Sequence, residues 1–389
     1  MKTFVLGLLA ASHVLVTGCA ENDGYFGSGA SGARASNART NASAARTQCE
    51  TEAPTVTLPL YTGGTTPDQT PTAPAGALVV VVSHPPYDST TYAIQLVDTN
   101  GESVADIKAH TRSPITQTCD NLAATLPAPP DVSASDDRVY YLDGDTDVRY
   151  LAPDGSTGLA ARVPGSSQSL SVFAVSPDDS RLAVAVFDLR WRPVLDQIYV
   201  QDLNAQTRVE LTDSNKPYRW PVGWHDGTIL VADGRTGGLE LVDPGTGHTT
   251  ATIDGKTCAP IPSLPTHAGF ACTTPTLAIG RLNWSGNVTI FATADAYAGG
   301  AALSPDGSQL LASGTGAMVK LIDSPETGSR VTSLGLLYGY PGEGGWLDAF
   351  HVVYRVAGAP GQVILDVRTQ TVVPMPPASV LVARLPAGY

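Results

Sequence analysis

The chain has 389 residues, 36 acidic against 23 basic, and a formal net charge of −13. That excess of acid argues against general nucleic-acid binding, which needs clustered Lys and Arg to neutralise phosphate, and a hydrophobic content of 42% argues against disorder throughout. The one long apolar run lies at the N-terminus, so no internal membrane span is predicted.

Residues 1–18 read as a signal peptide, with Lys2 followed by an apolar stretch from Phe4 to Val16. The segment Val16-Thr17-Gly18-Cys19 resembles the lipobox of bacterial lipoproteins, a small-residue site followed directly by cysteine. The resemblance implies cleavage after Gly18, diacylation of Cys19 and a place in the bacterial cell envelope, held to a membrane by lipid alone. Residues 19–50 then carry the lipidated cysteine and a Gly/Ala/Ser/Asn-rich flexible tether, and residues 51–389 the folded domain. Four cysteines remain, Cys49, Cys119, Cys258 and Cys272. Beyond the inner membrane an even number suggests disulfides, with three connectivities open. Nearest-neighbour pairing is expected, with Cys258–Cys272 pinning a Pro-rich loop and Cys49–Cys119 clipping the tether. No CxxC pair supports zinc.

Past the tether the sequence repeats itself. Phe173-Ala-Val-Ser-Pro-Asp-Asp-Ser-Arg-Leu-Ala-Val matches Ala301-Ala-Leu-Ser-Pro-Asp-Gly-Ser-Gln-Leu-Leu-Ala, each a strand, a tight turn and a second strand. Weaker copies begin at Gly76, Asp137, Gly227, Gly269 and Ala349, giving seven repeats of about 42 residues with one long insertion after the first. A second marker runs in phase: the third strand of a repeat tends to end in Asp (Asp98, Asp202, Asp243, Asp323, Asp366), with Asn283 in the matching place. Four short strands per repeat predict an all-β, seven-bladed β-propeller of four-stranded antiparallel blades, six blades being the alternative count. The SPDG-type turn and the third-strand Asp resemble the propeller repeats of the Tol–Pal system's periplasmic propeller protein and, more distantly, WD repeats, over roughly residues 76–385. The first repeat lacks a strand before Gly76, and Ser379-Val-Leu-Val-Ala-Arg-Leu is spare, so the C-terminal strand is expected to close the ring.

Catalytic motifs are absent: the chain has neither a GxSxG elbow nor an HExxH pair, and no motif implies a cofactor. Asp143, Asp145 and Asp147 alternate as the carboxylates of a calcium loop do, which makes them the candidate metal ligands, although Val148 stands where such a loop needs Gly. Loop length is more informative. The long segments fall on one face of the predicted ring, among them 83–91, 109–131, 188–196, 214–221, 254–266 and 334–346. Two of them concentrate cations and aromatics: Arg190, Trp191 and Arg192, and Tyr218, Arg219 and Trp220. These six are the candidate ligand-binding residues. They suit a binding or scaffold module for an envelope protein, peptide or glycan. The alternative is a propeller enzyme, a hydrolase, lyase or quinone-type oxidoreductase, since fold alone does not fix function.

Overall fold

The apolar runs that recur along the sequence become the second strands of seven four-stranded antiparallel blades. The computed structural model describes residues 76–83, 90–116, 125–126, 132–190, 195–205, 207–211, 219–233, 238–261, 263–293, 297–314, 318–356, 361–376 and 379–385. The expected signal peptide, Cys19 and the tether lie outside the described residues, as do Cys49, Cys119, Trp191, Arg192 and Tyr218.

Blades 2 to 5 follow the chain in order, each with its first strand at one edge of the sheet and its fourth at the other. The first strands of blades 1 and 2, 2 and 3, 3 and 4, and 6 and 7 lie side by side on the inner wall of the ring. Blade 1 takes its inner strand from the far end of the chain: Ser379–Leu385 pairs antiparallel with Leu78–Ser83, from Leu78↔Leu385 to Ser83↔Ser379. The spare strand therefore closes the ring as the sequence predicts. Blades 6 and 7 are joined by one strand, Val331–Trp346, which is the outer strand of blade 6 at its start and the inner strand of blade 7 at its end. The sequence reads residues 334–346 as an elaborated loop. They are strand because their apolar residues pair at both ends, and the glycines allow a bulge rather than a loop.

Both faces of every blade are covered, so the strands read as near-continuous apolar runs such as Leu78-Val-Val-Val-Val. Val80 and Val82 face blade 2, while Val79 and Val81 face blade 7. Seven hydrophobic clusters result, one for each interface between neighbouring blades. Two buried tryptophans staple adjacent blades through equivalent bonds. Trp224 Nε1 of blade 4 donates to the Ala174 carbonyl of blade 3 at 3.0 Å, and Trp346 Nε1 of blade 7 donates to Ala302 of blade 6 at 3.0 Å.

The repeat markers prove to be turn chemistry. In the first turn of blade 3, Ser176 Oγ donates to Asp178 at 2.6 Å and accepts from the Arg181 amide at 2.9 Å. Ser304, Asp306 and Gln309 repeat this in blade 6 at 2.7 and 2.9 Å. The third-strand Asp closes the next turn: Asp98, Asp202, Asp243, Asp366 and Asn283 each accept from two backbone amides just downstream. In blade 2 the position is Ala152, and Asp154 accepts instead from the Ser156 amide at 2.9 Å.

Candidate functional site

The acidic hairpin of blade 2 anchors the start of the long insertion. Asp143 Oδ1 accepts from the His110 amide at 2.8 Å and lies 2.8 Å from His110 Nδ1. Asp145 accepts from the Ser113 amide and hydroxyl, both at 2.7 Å. Asp147 pairs with Arg162 Nε at 3.0 Å. The cause is the hairpin itself. Asp143 and Asp147 face each other across its two strands and Asp145 sits in its turn, so the three carboxylates meet three different partners. Among the described residues no group of three or more His, Cys, Asp or Glu is placed to hold a metal ion.

Past this anchor the insertion crosses the face of the ring. The Arg112 guanidinium donates to the Ser171 carbonyl on the inner strand of blade 3. Ile115, Leu189 and Trp220 each pack against the cluster between blades 3 and 4, and a short ladder pairs Ile115–Thr116 with Thr125–Leu126. Trp220 meets the edge of Phe187 with ring centroids 6.4 Å apart. Ile115 and Leu189 are parts of this neighbourhood that the cation-and-aromatic criterion misses. For Ile115 the signal is an apolar residue in a locally polar stretch, Thr111-Arg-Ser-Pro-Ile-Thr-Gln-Thr118.

The candidate residues divide. Arg190 is exposed and held in place, its guanidinium on the Asp188 carboxylate with Nε 2.9 Å from Oδ1. Trp220 is half-buried and packs on both sides of blade 4, against the clusters shared with blades 3 and 5. Arg219 is withdrawn into blade 4, 4% exposed, its guanidinium on Glu240. Thr249 Oγ1 donates to the same Glu240 oxygen at 3.1 Å. Arg219 and Trp220 are neighbours on one strand, the first buried and the second half-buried. Trp191, Arg192 and Tyr218 lie outside the described residues.

At the opposite end of the ring three blades meet across the axis. In blade 5 the Ile261 amide donates to Ala271 and the Thr266 amide to Gly269, so the intervening residues bulge out of the inner strand. Leu264, 5% exposed, joins the cluster between blades 7 and 1 with Val81, Val353 and Leu381. It lies close enough to Gly345 of blade 7 that a Cβ there would fall 2.9 Å from its own. Arg384, on the closing strand of blade 1, ties the assembly: Nη1 donates to Trp346 O at 2.7 Å and Nη2 to Pro265 O at 3.2 Å. The Cys258–Cys272 disulfide, expected from the spacing, clamps the base of this bulge. Leu264, Trp346 and Arg384 all adjoin the short turns, so this contact among three blades lies at that end of the ring.

No protein-family model matches the chain, and no curated protein sequence does. Among solved structures the chain is similar to TolB from Acinetobacter baumannii, at 13% identity and a TM-score of 0.35, over 78% of this chain and 64% of that one. It thus spans less than two thirds of the TolB chain. It is also similar to a chain of a nidogen/laminin complex, at 12% identity and a TM-score of 0.34, over 80% of this chain and 98% of that one. A third likeness is to hydrazine synthase of Kuenenia stuttgartiensis, at 17% identity and a TM-score of 0.39, over 60% of this chain and 75% of that one. The fold itself is fixed by the sheets and interfaces above: a seven-bladed β-propeller closed by its last described strand.

Proposed function

We propose that the protein is a binding or scaffold module of the bacterial cell envelope, lipid-anchored through Cys19, whose ligand docks on the insertion-bearing face over blades 2 to 4. The observation that supports this reading is that Ile115 of the insertion, Leu189 of the loop after the second strand of blade 3 and Trp220 of the inner strand of blade 4 all pack against one interface of the ring. Beside them Arg190 is exposed and pre-oriented by Asp188, so binding a carboxylate costs little ordering of that side chain. An acidic peptide segment of an envelope protein fits this pairing: an apolar side chain against Ile115 and Leu189, and a carboxylate at Arg190. Arg219 takes no part, because it is buried within blade 4.

The test is an array of acidic, neutral and basic peptides probed with the wild-type protein, Arg190→Glu and Leu189→Asp. Selective capture of acidic peptides, weakened at least tenfold in Arg190→Glu at unchanged melting temperature, is the expected result; that corresponds to about 1.4 kcal/mol. Equal capture by wild type and Arg190→Glu rejects the site. A membrane fraction that keeps the protein equally well after Cys19→Ala rejects the anchor.

A further inference from the structure

The inner strands of blades 6 and 7 break their pairing in the same way. In blade 6, Tyr297 faces Gly314 and Ala301 faces Ala312, so residues 298–300 stand against Ser313 alone. In blade 7, Tyr340 faces Arg355 and Gly345 faces Val353, so residues 341–344 stand against Tyr354 alone. Bulges of this kind recur beside binding sites, because they take backbone out of the ladder and re-aim side chains.

The two residues left facing the bulges share a second property. Ser313 is 2% exposed and Tyr354 is fully buried, and among the described residues neither hydroxyl has a hydrogen-bond partner. Alternation directs both into one interface. Leu311 and Tyr354 belong to the cluster between blades 6 and 7, with Ala302, Val319 and Trp346. Ser313, two residues after Leu311 on the same strand, shares its face and so looks toward blade 7, while Tyr354 looks toward blade 6. A buried hydroxyl left unpaired is costly and uncommon. Two of them stand opposite bulges in adjacent blades and face the same interface.

Burial alone pushes the Tyr354 phenol up to about 12, with no charged group contributing. We infer that the interface between blades 6 and 7 holds a binding site for a neutral hydroxyl-bearing molecule that hydrogen-bonds Tyr354 OH and Ser313 Oγ. Water supplies this chemistry, and so does the hydroxyl of a bound sugar. The site is separate from the face over blades 2 to 4.

The experiment combines a high-resolution crystal structure, with and without a maltose soak, and thermal melts of wild type, Tyr354→Phe and Ser313→Ala with and without maltose. Expected is ordered density within roughly 2.6–3.2 Å of both hydroxyls, and a melting temperature about 1–3 °C lower in each variant. A single-atom peak indifferent to maltose identifies water. Extended density, with a maltose-dependent stabilisation lost in Tyr354→Phe, identifies a sugar hydroxyl. An empty interface with variants that melt at or above wild type overturns the inference, as does density showing both hydroxyls bonded to protein groups. Phenylalanine keeps the packing of Tyr354, so the readout does not depend on a variant that fails to fold.

Discussion

Asp179, in the first turn of blade 3, accepts a hydrogen bond from Arg138 Nη1 of blade 2 at 2.9 Å. Its other oxygen accepts from Tyr140 OH, also of blade 2, at 2.9 Å. Asp179 stands where the matching turn of blade 6 has Gly307, and both hold a left-handed backbone, with φ of 58° and 71°. Glycine adopts that conformation freely and aspartate does so at a cost. The aspartate is explained by its reach, since it links two blades through a side chain. Blade 6 makes the corresponding link with backbone: Arg281 Nη1 of blade 5 donates to Gly307 O at 3.2 Å.

Restoring the repeat's own glycine is therefore expected to harm this protein. Asp179→Gly relieves a strain of about 1 kcal/mol but takes the carboxylate from Arg138, which is 5% exposed. A net loss of about 1–3 kcal/mol is expected in urea unfolding. A variant more stable than wild type would show that the strain outweighs the link.

The insertion depends on Asp145. Asp145→Ala removes the acceptor for both the Ser113 amide and hydroxyl. Limited proteolysis is expected to cut between residues 111 and 131 at least several-fold faster, while the melting temperature stays within about 2 °C of wild type. Unchanged cleavage would mean that Arg112 and Ile115 hold the segment without help.

The turn carboxylates set a direction for acid stability. Hydrogen bonds from the Thr246 hydroxyl and the Gly245 and Thr246 amides hold Asp243 below the ordinary 3.8, and bonds from Ser156 do the same for Asp154. Burial works against Asp178 and Asp306, yet bonds from the flanking serines outweigh it and both are lowered. Groups lowered in the folded state contribute stability above their ordinary pKa and lose it as pH falls through the folded one. Asp179 acts in the opposite sense: burial raises it, so the folded state resists its ionisation and its contribution falls as pH rises past the ordinary value. Asp366 is lowered as well, chiefly by its hydrogen bond from Arg368; with five lowered carboxylates against one raised, the melting temperature is expected to hold from about pH 7 to 5 and to fall below about pH 4. A curve still flat at pH 3 contradicts this.

The blade 5 bulge is expected to answer to two separate changes. Cys258→Ser with Cys272→Ser removes a cross-link spanning 14 residues, a loss of about 3 kcal/mol on loop-closure entropy. Leu264→Ala removes its packing on blades 7 and 1, about 2–4 kcal/mol. Hydrogen exchange should quicken at residues 263–271 in both variants, and at the inner strand of blade 7 only in Leu264→Ala. Equal protection of blade 7 in wild type and Leu264→Ala would deny the contact across the axis.

The ring was legible because its grammar is local. The Ser-Pro-Asp turns, the apolar runs and the third-strand Asp each need only a few neighbouring residues, and the spare Ser379–Leu385 strand follows from counting them. What escaped depends on partners far along the chain. The Asp143 and Asp145 carboxylates meet donors 33 and 32 residues away, and without those donors they resemble cation ligands. Arg219 looks like surface charge until Glu240, 21 residues on, is placed beside it two strands away. Leu264 sits in a proline-rich stretch that reads as a loop, and only the closed ring brings Gly345 under it. The strand through residues 334–346 was hidden by its glycines, which read as turn signals where pairing makes a bulge.

The pairing of Ser379–Leu385 with Leu78–Ser83 also fixes an order of events. The ribosome makes the valine-rich strand of blade 1 first and its inner neighbour last, with every other blade between them. Until the last strand arrives, Leu78-Val-Val-Val-Val presents an unpaired edge of high β propensity, the kind of surface that pairs with other chains. Local hairpins can form as they emerge, but ring closure waits on the longest-range contact in the fold, which makes it the slow step. A chain stopped a few residues early would carry nearly all of its core and still expose that edge, so premature termination here should produce aggregation rather than a slightly weakened propeller.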